Sequence, residues 1–263
     1  MTMLRTSVVL ADETYALTWM SEGFDVQHEA LFVPLDTSDM SRLAQATVRA
    51  GQELSQAGLF DSEHGVHPDL LETFRALAKP AVEFFGWIGD RQRPKPVSAL
   101  ATTTSTRGVL AVLNGDTLGL HPVRHDALAD ALVAQLPAAP AGHGQSITVP
   151  ASEIDGTARS VGGDEEFSVF AGQQRNPAVQ QLRRLVGLPR TSGAQLYVAV
   201  RDRLGRRHRC PFPLNVIDTD AGRWFVQRQH NAGGQAWLTA APATPQVLSA
   251  KLYEMHSALI GGR

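Results

Sequence analysis

The stretch RGVLAVLNGDTLGLHPVRHDAL, residues 107–128, constrains the fold most, because something close to it is written twice. Two apolar runs meet at Asn114-Gly115-Asp116, a proline follows at Pro122, and an apolar pattern of helical period then begins, which predicts hairpin, stop, helix. Near the C-terminus Gly222-Arg-Trp-Phe-Val-Gln227 stands for Gly108-Val-Leu-Ala-Val-Leu113, and the turn Asn231-Ala-Gly-Gly234 stands for Asn114-Gly115. Pro242 answers Pro122, and Leu248 and Leu252 fall on Leu128 and Leu132. Upstream, Phe74-Arg-Ala-Leu-Ala-Lys-Pro80 matches Leu182-Arg-Arg-Leu-Val-Gly-Leu-Pro189, each a helix stopped by proline and followed by strand candidates and a helix. One such pair means little; agreement over successive elements predicts an α+β fold with a pseudo-two-fold repeat. Hairpins of two to five residues pair neighbouring strands, so the central sheet should be largely antiparallel.

The repeat sets the expected organisation. Residues 1–263 form one domain of two related halves, about 14–137 and 145–263, joined by the proline-rich stretch Pro137-Ala-Ala-Pro-Ala-Gly-His-Gly144. In the first half, Leu17 to Gly23 suggests a short strand, and Phe24 to Val33 a turn of helix. Helices are expected over Met40 to Leu54 and Pro68 to Ala78, and strands over Val82 to Ile88 and Val97 to Thr104. The second half should hold a mobile loop at 158–173, a helix over Pro177 to Val186, strands over Gln195 to Arg201, Arg207 to Val216, Arg223 to His230 and Ala236 to Ala240, and a last helix from Pro245 to Ile260.

Bulk chemistry excludes several function classes. The 24 basic and 26 acidic side chains leave a formal charge of -2, so no global field favours nucleic acid or an anionic membrane. The apolar run Val8-Val9-Leu10 is cut short by Asp12 and Glu13, and no stretch reaches the roughly 18 apolar residues of a membrane span, which predicts a cytoplasmic protein with no membrane insertion. Cys210 is the only cysteine, so an internal disulfide is impossible; its setting beside His208 and Pro211 suits a structural thiol.

Candidate chemistry is thin. His121, His125 and Asp126 offer two imidazoles and a carboxylate, the alternative site for a metal-dependent or small-molecule-binding α+β enzyme. Pro122 favours an extended His121, however, which removes the helical i, i+4 geometry, and Asp126 suits the field of a helix N-terminus. No nucleophile elbow, phosphate loop or dinucleotide fingerprint occurs, so neither catalytic residue nor cofactor is expected. Arg201-Asp-Arg-Leu-Gly-Arg-Arg-His-Arg209 fits a solvated hairpin tip better than a nucleic-acid surface, which would interleave aromatics over a wider face. Alternation in Arg223 to His230 places Trp224 and Val226 towards the helices. It leaves Arg223, Phe225, Gln227 and Gln229 on a solvent-facing surface suited to a protein partner.

Several segments in fixed order then resemble one family: Ser21-Glu-Gly-Phe-Asp-Val-Gln-His-Glu-Ala30, Gly108 to Thr117 with the helix after Pro122, Ser146-Ile-Thr-Val-Pro150, Ile217 to Val226, and Ala236-Trp-Leu-Thr-Ala-Ala-Pro242. They are similar to the EspG family of actinobacterial type VII (ESX) secretion. The resemblance implies a cytosolic, non-enzymatic chaperone with a central antiparallel sheet flanked by helical bundles. It also implies that the chain binds the tip of a PPE protein within a PE/PPE heterodimer, as a monomer when bound, and directs it to its secretion machine. The family's partner surface involves the central sheet and the C-terminal helical region. That nominates Phe225, Gln227 and Gln229, with Trp237 and the last helix's Lys251 and Glu254, and Asp90 to Pro96 as a clamp.

Overall fold

The computed structural model describes residues 3–104, 107–154, 176–231 and 233–261. In chain order these are β1 (Val8–Ala11), α1 (Asp12–Ser21), a 3-10 turn (Glu29–Leu31), α2 (Met40–Gln56), the small hairpin β2 (Phe60–Asp61) and β3 (Gly65–Val66), and α3 (Pro68–Ala78). The first-half meander is β4 (Val82–Asp90), β5 (Val97–Thr103), β6 (Gly108–Asn114) and β7 (Thr117–Val123), closed by α4 (Leu128–Val133). Then come β8 (Ile147–Pro150), α5 (Pro177–Val186), β9 (Arg190–Arg201), β10 (Arg207–Arg209), β11 (Leu214–Thr219), β12 (Gly222–His230), β13 (Ala236–Pro242) and α6 (Pro245–Gly261).

Local chemistry places the helix ends. Asp39 caps α2 by accepting from the backbone N–H groups of Ser41 and Arg42, and Asn176 caps α5 by accepting from that of Ala178. Pro68 and Pro177 occupy first-turn positions, where a missing N–H costs nothing. Gly115 turns the β6–β7 hairpin at φ 63°, a conformation that penalises a side chain.

One eleven-stranded antiparallel sheet runs β1-β7-β6-β5-β4-β9-β11-β12-β13-β8, with β10 continuing along β9 beyond β11. The order is a palindrome of the two meanders: β4 and β9 lie side by side at the centre, and β1 and β8 occupy the two edges. The pseudo-two-fold axis therefore passes through the β4–β9 pair, whose register runs from Val82↔Val200 to Asp90↔Ser192.

Helices cover the two faces differently. On one face, α4 and α6 meet over the axis, so that the matched leucines Leu128, Leu132, Leu248 and Leu252 enter one core with Phe84, Val198 and Phe225. On the other, α1 and α3 cover the first half through Tyr15, Trp19, Phe74 and Leu77 on Phe85 and Leu100. There α5 covers the second half through Val179, Leu182 and Leu185 on Trp224, Ile147 and Val149.

Three expectations need correction. Leu17 to Ser21 is the end of helix α1 rather than a strand: Thr14 through Trp19 are buried on every side, and a helix buried all round loses the 3.6-residue period that would distinguish it. The helical turn before Pro34 shrinks to the 3-10 turn at Glu29–Leu31, which His28 caps. The strand expected over Arg207 to Val216 is broken into β10 and β11, because Pro211 and Pro213 lack the N–H groups a ladder needs. The loop expected at 158–173 lies outside the described residues.

Candidate partner-binding surface

One row of cross-strand partners spans the sheet on the face shared by α1, α3 and α5. It reads Leu10, Leu118, Leu113, Ser98, Trp87, Gln195, Asn215, Val226, Ala240 and Ile147. Both ends are apolar and buried beneath helices, as Leu10, Leu118, Ala240 and Ile147 show. The middle changes character. Trp87, Asn215 and Val226 are half-buried and Gln195 is exposed, although these strands lie at the centre of the sheet, where burial is normally greatest.

The next row sharpens the opening. Gly89 pairs with Gly193, which pairs with Ile217, so the two central strands carry no side chain on this face near the Asp90–Ser192 end of their pairing. A methyl group built on Gly89 would meet nothing closer than the Gly193 carbonyl at 3.9 Å, so the space above it is free. Glycine inside a strand often marks a close approach by another chain or a ligand. The result is an open groove of about 680 Å³, floored by Gly89, Gly193 and Ile217 and walled by Trp87, Gln195 and Val186 of α5.

Of the Asp90 to Pro96 clamp nominated from sequence, Asp90 and Arg91 line this groove; the residues nominated on β12, β13 and the last helix fall elsewhere, and not together. The alternation in β12 is as expected, but the outward face is not. Phe225 is 3% exposed and Gln227 is 4% exposed, because α6 packs over that face through Leu248, Leu252 and Met255, and Arg223 is buried in a pair with Asp218. Trp224 and Val226 do meet helix α5. Gln229 reaches solvent and donates through Nε2 to the Gln227 side chain at 3.0 Å, and half-buried Trp237 sits opposite it on β13. Lys251 and Glu254 pair with each other on α6 at 2.6 Å. Gln227, Gln229 and Glu254 border a second groove, about 460 Å³, with Phe212, Met255 and Leu259; Phe225, Trp237 and Lys251 do not line it.

Sequence reasoning missed Trp87, Gly89, Gly193, Gln195 and Asn215. The available signal was Gly86-Trp-Ile-Gly89, two glycines inside a largely apolar central strand, together with single amides in β9 and β11.

The polar clusters elsewhere are paired largely within the protein, although Glu83 Oε1 is buried without a hydrogen-bond partner. In the Arg201–Arg209 hairpin, Arg206 and His208 bind Asp202 at 2.8 and 3.1 Å, and the His208 contact is the largest cause of a carboxyl held far below its usual range. Arg207 bridges Glu29 and the fully buried Glu83, and Arg209 also reaches Glu29, so these cations are spent on the protein's own acids. Their guanidiniums lie over Phe85 and Tyr197 at 5.2 and 5.1 Å. His28 Nδ1 accepts from the Ala30 N–H, so its Nε2–H donates to Glu83 at 3.2 Å. Burial pushes the Glu83 carboxyl up, but the hydrogen bonds from His28 and Arg207 and the Arg207 charge outweigh it, leaving it below its ordinary value.

The alternative enzyme site does not assemble. His121 Nδ1 lies 3.1 Å from the Ser7 hydroxyl, His125 is exposed, and Asp126 is taken by a two-pronged pair with Arg124 at 2.9 and 2.6 Å. Among the described residues, only Asp61, Glu63 and His64, all exposed, bring three metal-type ligand atoms together. Cys210 is buried, its thiol pushed up by that burial, and its sulfur accepts from the Val198 N–H. No helix among the described residues is long and apolar enough to cross a membrane.

Comparison with known proteins completes the picture. The sequence profile of the EspG family matches residues 12–254. The chain belongs to the EspG family. Among solved structures, it is similar to the Mycobacterium tuberculosis type VII secretion system chaperone EspG5, determined in complex with the PE25–PPE41 dimer. The TM-score is 0.66 over 94% of this chain and 95% of that one, at 16% identity. Sequence has thus diverged widely while the EspG fold has been kept. No curated protein matches the sequence.

Proposed function

We propose that this EspG-family protein is a type VII secretion chaperone that caps the tip of a PPE protein in a PE/PPE heterodimer, keeping it soluble and directing it to its ESX machine. The observation that carries the proposal is the uncovered centre of the sheet, where Trp87, Gln195, Asn215 and Val226 lie in register above the Gly89–Gly193 floor. A soluble protein leaves such a mixed apolar and amide surface open for a partner. The solved assembly of EspG5 with PE25–PPE41 supplies the partner class. Binding and shielding need no covalent step, so the protein acts without catalysis or cofactor, in the cytoplasm, and as one copy per heterodimer. The chain works as one unit, residues 1–263, of two related halves, about 14–137 and 145–263. The residues nominated from sequence, Phe225, Gln227, Gln229, Trp237, Lys251 and Glu254, lie on the α6 side of the sheet, away from this groove, and would serve only as a separate, secondary contact area.

Co-expression with each PE/PPE heterodimer encoded in the same genome, followed by size exclusion, tests the proposal. A one-to-one-to-one complex is the expected result. Gly89→Val, which fills the groove without touching the fold, should abolish that complex while leaving the thermal unfolding midpoint within a few degrees of wild type. Failure of every heterodimer to co-elute overturns the proposal; a Gly89→Val variant that binds normally overturns the placement on the groove.

A further inference from the structure

Two cations at one end of the groove have no assigned work. Arg91 leaves the end of β4, and its backbone N–H donates to the Thr191 carbonyl at 3.2 Å, which holds the β4–β5 loop against the start of β9. Arg190 begins β9 beside it, and both residues are exposed and line the groove. Neither guanidinium has an acid partner among the described residues. Exposed Arg5, Arg93, Arg107, Arg184 and Arg203 likewise make no ion pair among the described residues, but none of them lines this groove. Arg42, Arg49, Arg124, Arg206, Arg207 and Arg209 all pair with the protein's own carboxylates. The one acid lining the groove, Asp90, forms no ion pair with either arginine and accepts from the Gln92 N–H at 2.9 Å.

An unpaired arginine pair at the mouth of a half-apolar groove is an electrostatic pattern with a defined complement. The planar guanidinium fork matches a carboxylate, and its weak hydration lets it enter an interface at lower cost than lysine. The wall beside it is apolar, since Val186 of α5 is 40% exposed and Trp87 half-buried. The geometry points to a partner segment of two-part chemistry: an apolar side chain that seats on Trp87 and Val186 over the glycine floor, and an Asp or Glu beside it that pairs with Arg91 and Arg190. Resting on the PE/PPE reading above, this assigns to the arginines the choice among heterodimers. Tips that share an apolar residue are separated by whether a carboxylate stands next to it, and a basic residue there is rejected by like charge.

The test uses the full chain and a PE/PPE heterodimer that co-elutes with it. Affinity is measured for wild type, Arg91→Glu/Arg190→Glu and Gly89→Val, at low and at physiological salt. The charge reversal should weaken binding by about tenfold or more at low salt and remove most of the salt dependence, because screening acts on the steering pair. Changing an acidic residue of the PPE tip to arginine should restore binding to the reversed protein and not to wild type. Both arginines are exposed, so circular dichroism and thermal unfolding should be unchanged. If Gly89→Val abolishes binding while the charge reversal stays within about twofold of wild type at both salt levels, the arginine assignment falls and the groove stands. If the reversed protein binds weakly but no acidic tip residue gives charge-swap rescue, the assignment of a carboxylate partner falls. If no heterodimer binds wild type, the PE/PPE reading falls and this inference with it.

Discussion

Glu83 shows how much a single side chain decides in this protein. It stands on a central strand, fully buried, and holds His28 and Arg207, which in turn anchor the 3-10 turn and the β10 tip. A carboxylate there is tolerable only because two donors meet it. Its folded-state pKa lies below the ordinary value, so the stabilisation it provides is fully present above the unfolded value of about 4.3 and drains away as pH falls through the folded value. Glu83→Gln should therefore cost about 1–3 kcal/mol at neutral pH and flatten the acid limb of the stability curve below about pH 4. Urea unfolding at a series of pH values checks this; a variant that loses stability with acid as steeply as wild type would show that Glu83 carries none of the acid sensitivity. Asp218 and Arg223 make a second buried pair, with Nε to Oδ1 at 2.7 Å, and Arg223 also donates to the Pro137 carbonyl at 2.6 Å. The Glu83–Arg207 pair was not legible in the sequence, because the two residues lie in different halves and meet only after β4 pairs with β9.

Within elements, β4 carries two glycines with opposite tasks. Gly86 has no room: a Cβ there would lie 2.2 Å from the Gln195 carbonyl oxygen and 2.9 Å from Leu196 Cδ2, so the chain can approach β9 closely only without a side chain. Gly89, on the opposite face, has space above it. Gly86→Ala should cost about 3 kcal/mol, the upper end of overpacking, and lower the unfolding midpoint, whereas Gly89→Val should unfold near wild type. Equal melting shifts for the two would contradict this division of roles. The sequence displayed both glycines but not which of them faces a neighbour, since that depends on the register with Gly193 and Leu196. What local pattern did convey were elements with strong punctuation: the α2 and α3 boundaries, the Asn114-Gly115 hairpin, and α6 after Pro245 all stand within a few residues of expectation. Local pattern failed at α1, where burial on all sides erased the period, and at β12, where alternation separated the faces correctly but could not say that a helix lies on each.

For the whole molecule, the pseudo-two-fold axis explains why one face is closed and the other open. An axis through the β4–β9 pair leaves each face facing the same way, so helices that meet at the axis seal a face and helices that stay at the ends leave its centre bare. α4 and α6 meet: Tyr253 donates its hydroxyl to the Asp126 carbonyl at 3.0 Å and to the Asp130 carboxylate at 3.3 Å, over a core drawn from both halves. α1 with α3, and α5, pack in separate cores, and the groove opens on the sheet beside Val186 of α5. The same arrangement means that neither half owns a complete core. Phe84, Leu128 and Leu132 from one are packed with Val198, Leu248 and Leu252 from the other. The two-half division then predicts how a split chain behaves. Fragments cut within the 137–144 connector should each be insoluble or lack a cooperative transition when expressed alone, because each exposes half of a shared apolar layer and an unpaired central strand edge. Co-expressed, they should reassemble into a one-to-one complex whose unfolding is cooperative. Its midpoint should fall below that of the intact chain, since the connector's ties to Arg223 no longer join the halves covalently. A fragment that folds cooperatively by itself, seen by calorimetry and near-ultraviolet circular dichroism, would instead make the halves separate domains and the closed face an ordinary interface between them.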